Sequence, residues 1–377
     1  MGILRELIIE KIKNKGKITF AEFMQMALYH PEHGYYNSNI TPVGKSGDFY
    51  TSPAVHQMFG ELVAVQLEEM WQTLGCGTFT VVEMGANAGW LCYDCMRYIK
   101  SEYPEFYKNI QYIIVESNPH MRKKQQELLC ENDIFHEKLS WHSYTEDGFS
   151  FDDVQGCFLS NEFADALPVH RLIVKKGEIK EIYVGYNGID FCEIIDEVCS
   201  RELKGYCADA ELPLREDQIF EMNLAVCGYL NHVARKLQRG FVMTIDYGDT
   251  SYRLYQNNGR EGAVRCYYRH GVNRKYYERL GEQDITASVN FSYLINVGKG
   301  FGLEATGFVK QSHYLIALGI LEKLNRVRDN PETVLKVKNL FLPDSMGDVF
   351  KVLIQHKNVK NPTLSGLKPL HTIKLGI

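Results

Sequence analysis

From residue 78 onward the chain alternates short β-rich runs with helical stretches, and this alternation limits its fold more than any other feature. Residues 79–84 form the first run, followed at once by a Gly-containing turn and a helix around residues 90–100. Residues 110–115 form the second and end in Glu116. Residues 157–160 form the third and lead into Asn161-Glu162-Phe163, and residues 241–245 form the fourth and lead into Asp246-Tyr247-Gly248. Strands that alternate with helices predict a mostly parallel α/β sheet with both faces covered. The composition can support it: 45% of the 377 residues are hydrophobic and 24% charged, which excludes a disordered or fibrous chain.

The flanks are also readable. Leu4, Leu7, Ile8 and Ile12 recur at helical spacing, and Lys15-Gly16-Lys17 breaks that helix. Thr19-Phe20-Ala21-Glu22 is the pattern of a capping box, opening a second helix with Phe23, Met24, Ala27 and Leu28 on its apolar face. A long Gly-, Pro-, Ser-, Asn- and Tyr-rich loop follows, and Ser52-Pro53 then caps and starts a helix predicted to run to about Trp71. Between the third and fourth strands lies an insertion. Residues 172–174 and 181–184 flank Lys176-Gly177-Glu178 as a hairpin. Ile219, Met222, Val226, Leu230, Val233 and Leu237 then predict one long amphipathic helix. A polar, Tyr- and Arg-rich stretch reaches about residue 290. After it come a strand near 303–309, helices to about 340, and a last run at 349–355 predicted to pair antiparallel at the sheet edge. The expected domains are an N-terminal helical cap with a lid loop, 1–75, and a sheet domain, 76–377, with insertions at about 170–238 and 250–300.

Forty-two Lys and Arg against 47 Asp and Glu argue against general nucleic-acid binding. No apolar run approaches the roughly 20 residues of a membrane span. The first residues lack the apolar region of a secretory signal, and ten scattered cysteines read as reduced thiols, so the expected compartment is the cytoplasm. The mitochondrial matrix is the alternative if a transit peptide has been removed. Cys92-x-x-Cys95 has no second pair at zinc spacing, so no metal site is expected.

The sharpest local signal is Val81-Val82-Glu83-Met84-Gly85-Ala86-Asn87-Ala88-Gly89. A strand ends in an acid, then a Gly-containing turn enters a helix, which is where doubly wound sheets hold ligands. A dinucleotide turn would need Gly at 87 and 90, where the chain has Asn87 and Trp90. The acid-x-G-x-G-x-G turn of S-adenosylmethionine (SAM) methyltransferases matches at Gly85 and Gly89, and Asn87 is the side chain most tolerant of a left-handed backbone. Glu116 then stands where an acid would accept both ribose hydroxyls. The bland reading is a tight strand-to-helix turn with no ligand.

Many further runs resemble the MidA family of SAM-dependent methyltransferases, in the family's order and over nearly the whole chain: FMQMALYHPEHGYY, SGDFYTSP followed by FGEL, VVEMGANAG, NEFADALPVHRL, IDYGD, YYRH, DITASVNF, GLEATGFVKQSHYLIALGI and MGDVFKVL. The family usually reads E-x-G-P-G-x-G at the turn, and this chain departs at Ala86, Asn87 and Ala88. The resemblance implies a Rossmann-like class I methyltransferase fold with an N-terminal helical cap and an inserted α+β element. It implies SAM as cofactor and an arginine of a partner protein as acceptor, the family including an arginine-methylating mitochondrial complex I assembly factor. A complex I subunit is therefore one expected partner. Cofactor binding falls on Asp48, Ser52, Glu83, Gly85, Asn87, Gly89, Glu116 and Asn161, with 47–49 and 51–53 in a lid. Glu162 and Asp165, with Asp246 as a third, are the candidates to orient a guanidinium; strand-end acids also cap helices or form ion pairs. Arg269 could hold a carboxylate and His270 accept a proton. A small-molecule acceptor, or a SAM-binding assembly protein with little turnover, stays open, as does a homodimer.

Overall fold

A computed structural model describes residues 2–37, 51–130, 135–145, 147–209, 214–257 and 261–370. The chain forms two compact units. One comprises Tyr50–Ala164, Tyr229–Tyr247 and Ile295–Ile377; the other comprises Met1–Phe49, Asp165–Gly228 and Gly248–Leu294.

The first of these holds the predicted parallel sheet. Its strands are β1 (Phe79–Met84), β2 (Ile110–Val115), β3 (Leu139–His142), β4 (Val154–Asn161), β5 (Leu237–Asp249), β6 (Glu304–Lys310) and β7 (Phe350–Lys357). They lie in the order β6-β7-β5-β4-β1-β2-β3. Strands β5, β4, β1, β2 and β3 are parallel, whereas β7 runs antiparallel to both β5 and β6. Met84 pairs with Val115 and Ser160, and Asn161 with Ile245, so four strands end together along one edge. Helices α1 (Met58–Thr73), α2 (Trp90–Glu102) and α3 (Pro119–Cys130) flank this sheet in sequence. Phe59, Leu62 and Met70 of α1, Cys92, Met96 and Ile99 of α2, and Val81, Tyr112, Leu159 and Met243 of the strands share one core. Each large apolar side chain buried there stabilises the unit by roughly 1.5–3 kcal/mol.

Three sequence expectations need correction. The last strand is antiparallel, but it is internal and β6 is the edge; seven of its eight residues are buried, Lys351, Gln355 and His356 among them. The long helix of 219–237 is shorter. Ile219–Met222 is a strand on His170–Lys175, the helix is Ala225–Lys236, and Asn223 accepts the Val226 N–H at its start. The helix from Ser52 stops at Val55, because His56 is extended and its ring accepts the Met58 N–H that opens α1.

The other unit is antiparallel. Glu178–Tyr186 pairs with Ile18–Thr19, His170–Lys175 and Phe191–Asp196. Its hairpin turns through Lys176 and Gly177, both at positive φ. Helix Ile3–Lys15 and helix Phe20–Tyr29 pack Leu4, Ile8, Phe23 and Leu28 with Val184, Val264 and Ile285. The capping box forms: Thr19 accepts the Glu22 N–H at 3.0 Å and Glu22 accepts the Thr19 N–H at 3.1 Å. Among the described residues, no helix is long and apolar enough to cross a membrane, and the cysteines are free thiols.

Candidate functional site

The bend after β1 is built from three left-handed residues: Gly85 (φ 64°), Asn87 (φ 48°) and Gly89 (φ 90°). The Gly85 N–H donates to the Val115 carbonyl at 3.3 Å, pinning the bend to the end of β2. The Gly89 N–H closes the bend on the Ala86 carbonyl at 2.8 Å. A Cβ on Gly85 would come within 3.2 Å of the Phe163 ring, so the bend packs directly under the run that ends β4. Gly89 is also the N-cap of α2 and supplies no side-chain cap, leaving that helix's first amides for another partner.

Glu116 stands at the end of the neighbouring strand, its N–H on the His142 carbonyl at 2.9 Å. One carboxylate oxygen accepts the Asn118 N–H at 2.8 Å and the other accepts Gln125 Nε2 at 3.1 Å. The same Nε2 donates to the Asn87 carbonyl at 2.6 Å. One amide nitrogen therefore links the bend to the acid. Burial lifts the Glu116 pKa above the usual carboxylate value, while the Asn118 and Gln125 donors pull it back. Sequence reasoning missed Gln125. The signal was present: Met121, Gln125 and Leu129 recur every four residues as the buried face of α3, and a polar residue on such a stripe needs partners.

Strand β4 ends in Asn161 and leads into Glu162. Glu162 adopts φ 53°, an uncommon conformation for a non-Gly residue, held by its N–H on the Ile245 carbonyl at 2.9 Å. Its Oε1 accepts Asn161 Nδ2 at 3.0 Å and the Ser52 N–H at 3.2 Å. Asp246 is fully buried; Oδ2 accepts the Phe163 and Ala164 N–H groups at 3.2 and 2.9 Å, and Oδ1 accepts the Tyr247 N–H at 2.9 Å. It thus fixes the turn that carries Glu162. Ser52 is buried, with its hydroxyl on Gln311 Oε1 at 3.4 Å, and Thr51 takes the N-cap position that sequence reasoning gave to Ser52. Glu83 accepts the Tyr112 hydroxyl at 2.8 Å inside the core, and burial lifts its pKa to about 7.

Two further candidates, Asp165 and His270, belong to the other unit. Asp165 is buried in the other unit, where its carbonyl accepts the Ala287 N–H and its charge, after burial and Asp284, adds to the raised pKa of Tyr36. His270 is exposed in that unit, in the two-residue turn with Arg269 that joins Arg265–Tyr268 to Gly271–Asn273. Asp48 and the other residues of 47–49 lie outside the described residues.

The residues fit the implied nucleoside. Asn87 Oδ1 and Asn161 Oδ1 are buried acceptors with no donor among the described residues. An ammonium or an adenine amino group would satisfy such acceptors, and a carboxylate such as Glu116 suits two sugar hydroxyls.

Comparison with known proteins agrees. Residues 62–309 match the family described as "Putative S-adenosyl-L-methionine-dependent methyltransferase". The chain is similar to protein arginine methyltransferase NDUFAF7, mitochondrial, of Homo sapiens, at 27% identity over 95% of this chain and 84% of that protein. It is similar at 27% identity to the NDUFAF7 homolog, mitochondrial, of Drosophila melanogaster, over 95% and 86%. A crystal structure from Burkholderia thailandensis bound to S-adenosyl-homocysteine (SAH) has the same fold, with TM-score 0.86 and 24% identity over 98% of this chain and 96% of that one.

Proposed function

The chain belongs to this family of SAM-dependent methyltransferases, and we propose that its methyl acceptor is an arginine side chain of a partner protein. The observation that carries the reading is Glu162: a carboxylate set at the end of β4 on a strained backbone, in the run whose Phe163 abuts Gly85. Strain of this kind persists where surrounding contacts over-determine it, and Glu162 has such contacts in Ser52, Asn161 and Ile245. The relatives named as arginine methyltransferases support the acceptor class.

Glu116 would hold the sugar hydroxyls of SAM; Gly85, Asn87 and Gly89 its amino-acid end; and Asn161 one of its N–H groups. Glu83 and Ser52 support that cradle from the core. SAM supplies an electrophilic methyl on a sulfonium, so little activation is asked of the protein. Its residues must align the nucleophile and exclude water. Glu162 accepts guanidinium N–H groups and holds one nitrogen in line, as carboxylates do with arginine. Asp246 is a positioning residue: through three backbone amides it keeps Glu162 where it is. Asp165 and His270 keep only the support of the family resemblance. The mitochondrial relatives favour the matrix over the cytoplasm as the place of action, and a respiratory complex I subunit as the partner to try first.

The test is mass spectrometry of partner proteins incubated with purified enzyme and SAM. Gains of about 14 or 28 Da on arginine are expected, and Glu162→Gln should lower kcat by about 100-fold or more while SAH still binds. Methylated small molecules with unmodified arginine would replace the acceptor reading, and no transfer to any acceptor would favour the assembly-protein reading.

A further inference from the structure

We propose that Gln125 is the positioning residue of the cofactor site, the group that sets the sugar-binding acid Glu116 at a fixed distance and angle from the bend at 85–89. The inference rests on the reading of Glu116 given above. Gln125 is fully buried on α3. Its amide nitrogen has two hydrogens and two acceptors: the Asn87 carbonyl at 2.6 Å and Glu116 Oε2 at 3.1 Å. Its amide oxygen accepts the Trp141 indole N–H at 3.1 Å. All three contacts use the amide in one sense only. A flip would turn oxygen toward two acceptors and nitrogen toward a donor, so Trp141 on β3 fixes the orientation in which Gln125 serves the site.

The consequence reaches the ligand. Glu116 is buried enough that ionisation is opposed, and its charged form is favoured by the Asn118 amide, then by Gln125, and after these by the Ser117 amide and the Arg122 charge. Asn118 lies two residues along in the same loop, whereas Gln125 comes from another element and also holds the bend. The bond from Gln125 thus does two jobs: it keeps the carboxylate ready to accept hydroxyls, and it keeps the two halves of the nucleoside cradle in register. A buried glutamine of purely structural importance would stabilise the fold without its effect depending on Glu116.

Calorimetric titration with SAH distinguishes these cases, using native protein, Glu116→Gln, Gln125→Glu and the double variant. Glu116→Gln should weaken SAH binding about tenfold or more. Gln125→Glu, nearly isosteric, places a carboxylate against Glu116 and the Asn87 carbonyl and should also weaken it by about tenfold or more. In the Glu116→Gln background the same change should cost less than about threefold, because the facing charge is gone. Trp141→Phe, which removes only the orienting donor, should weaken binding about two- to fivefold and raise KM for SAM more than it lowers kcat. This milder variant carries the test if Gln125→Glu fails to fold. Native-like SAH binding by Gln125→Glu, an equal penalty in both backgrounds, or native-like binding by Trp141→Phe would overturn the inference while Glu116 keeps its role. Native-like binding by Glu116→Gln would instead remove the sugar reading and this inference with it.

Discussion

Glu83 is a carboxyl group whose ionisation falls within the working range of pH. Burial raises its folded pKa to about 7, opposed by the Tyr112 hydroxyl, whereas an unfolded Glu titrates near 4.5. A raised acid favours folding when protonated, so its contribution is full below about 4.5 and is lost as pH rises toward 7. The difference amounts to at most about 3 kcal/mol. Native protein should therefore lose stability relative to Glu83→Gln across pH 4.5–7, measured by denaturant unfolding at several pH values; parallel pH profiles would contradict this. Sequence alone marked Glu83, Gly85, Gly89 and Glu116, because strand-end acids and turn glycines have fixed chemical meanings. It missed Gln125: the helical spacing of Met121, Gln125 and Leu129 marks a polar residue in need of partners, but only tertiary packing says that those partners are Asn87, Glu116 and Trp141. The sequence could not distinguish an acid that touches substrate from one that holds a loop, and the amides on Asp246 make that distinction.

At the scale of elements, the capping box of helix Phe20–Tyr29 gives a clean test. Thr19→Ala removes the acceptor for the Glu22 N–H but keeps the backbone N–H that Glu22 accepts, and should cost about 1 kcal/mol. Chemical denaturation measures it, and an unchanged midpoint would show that the box contributes nothing. This box was legible because it is contained in four residues. The alternating strands were legible for a similar reason: each apolar run carries its own period and its own end signal. Ile219–Met222 was not, since a spacing of three fits a helix until a neighbouring strand edge takes its backbone hydrogen bonds. The place of β7 failed likewise. Lys351 and Gln355 look like an edge in sequence, yet Lys351 caps the carbonyls of Asp348 and Val349, and both residues are buried.

The whole molecule interleaves its two units along the chain, and all three tryptophans, Trp71, Trp90 and Trp141, belong to the unit with the parallel sheet. Tryptophan fluorescence therefore reports that unit by itself. SAH at about 100 times its Kd should stabilise it by about 2.7 kcal/mol and raise its fluorescence-detected Tm by about 5–10 °C. A Tm unmoved by saturating ligand would separate binding from this unit. The most direct measurement is a crystal structure of the protein grown with SAH. Both ribose hydroxyls should lie within hydrogen-bonding distance of Glu116, with the amino-acid end along the amides of 85–89. A nucleoside found elsewhere, with the Glu116 oxygens still answered only by protein donors, would contradict the account.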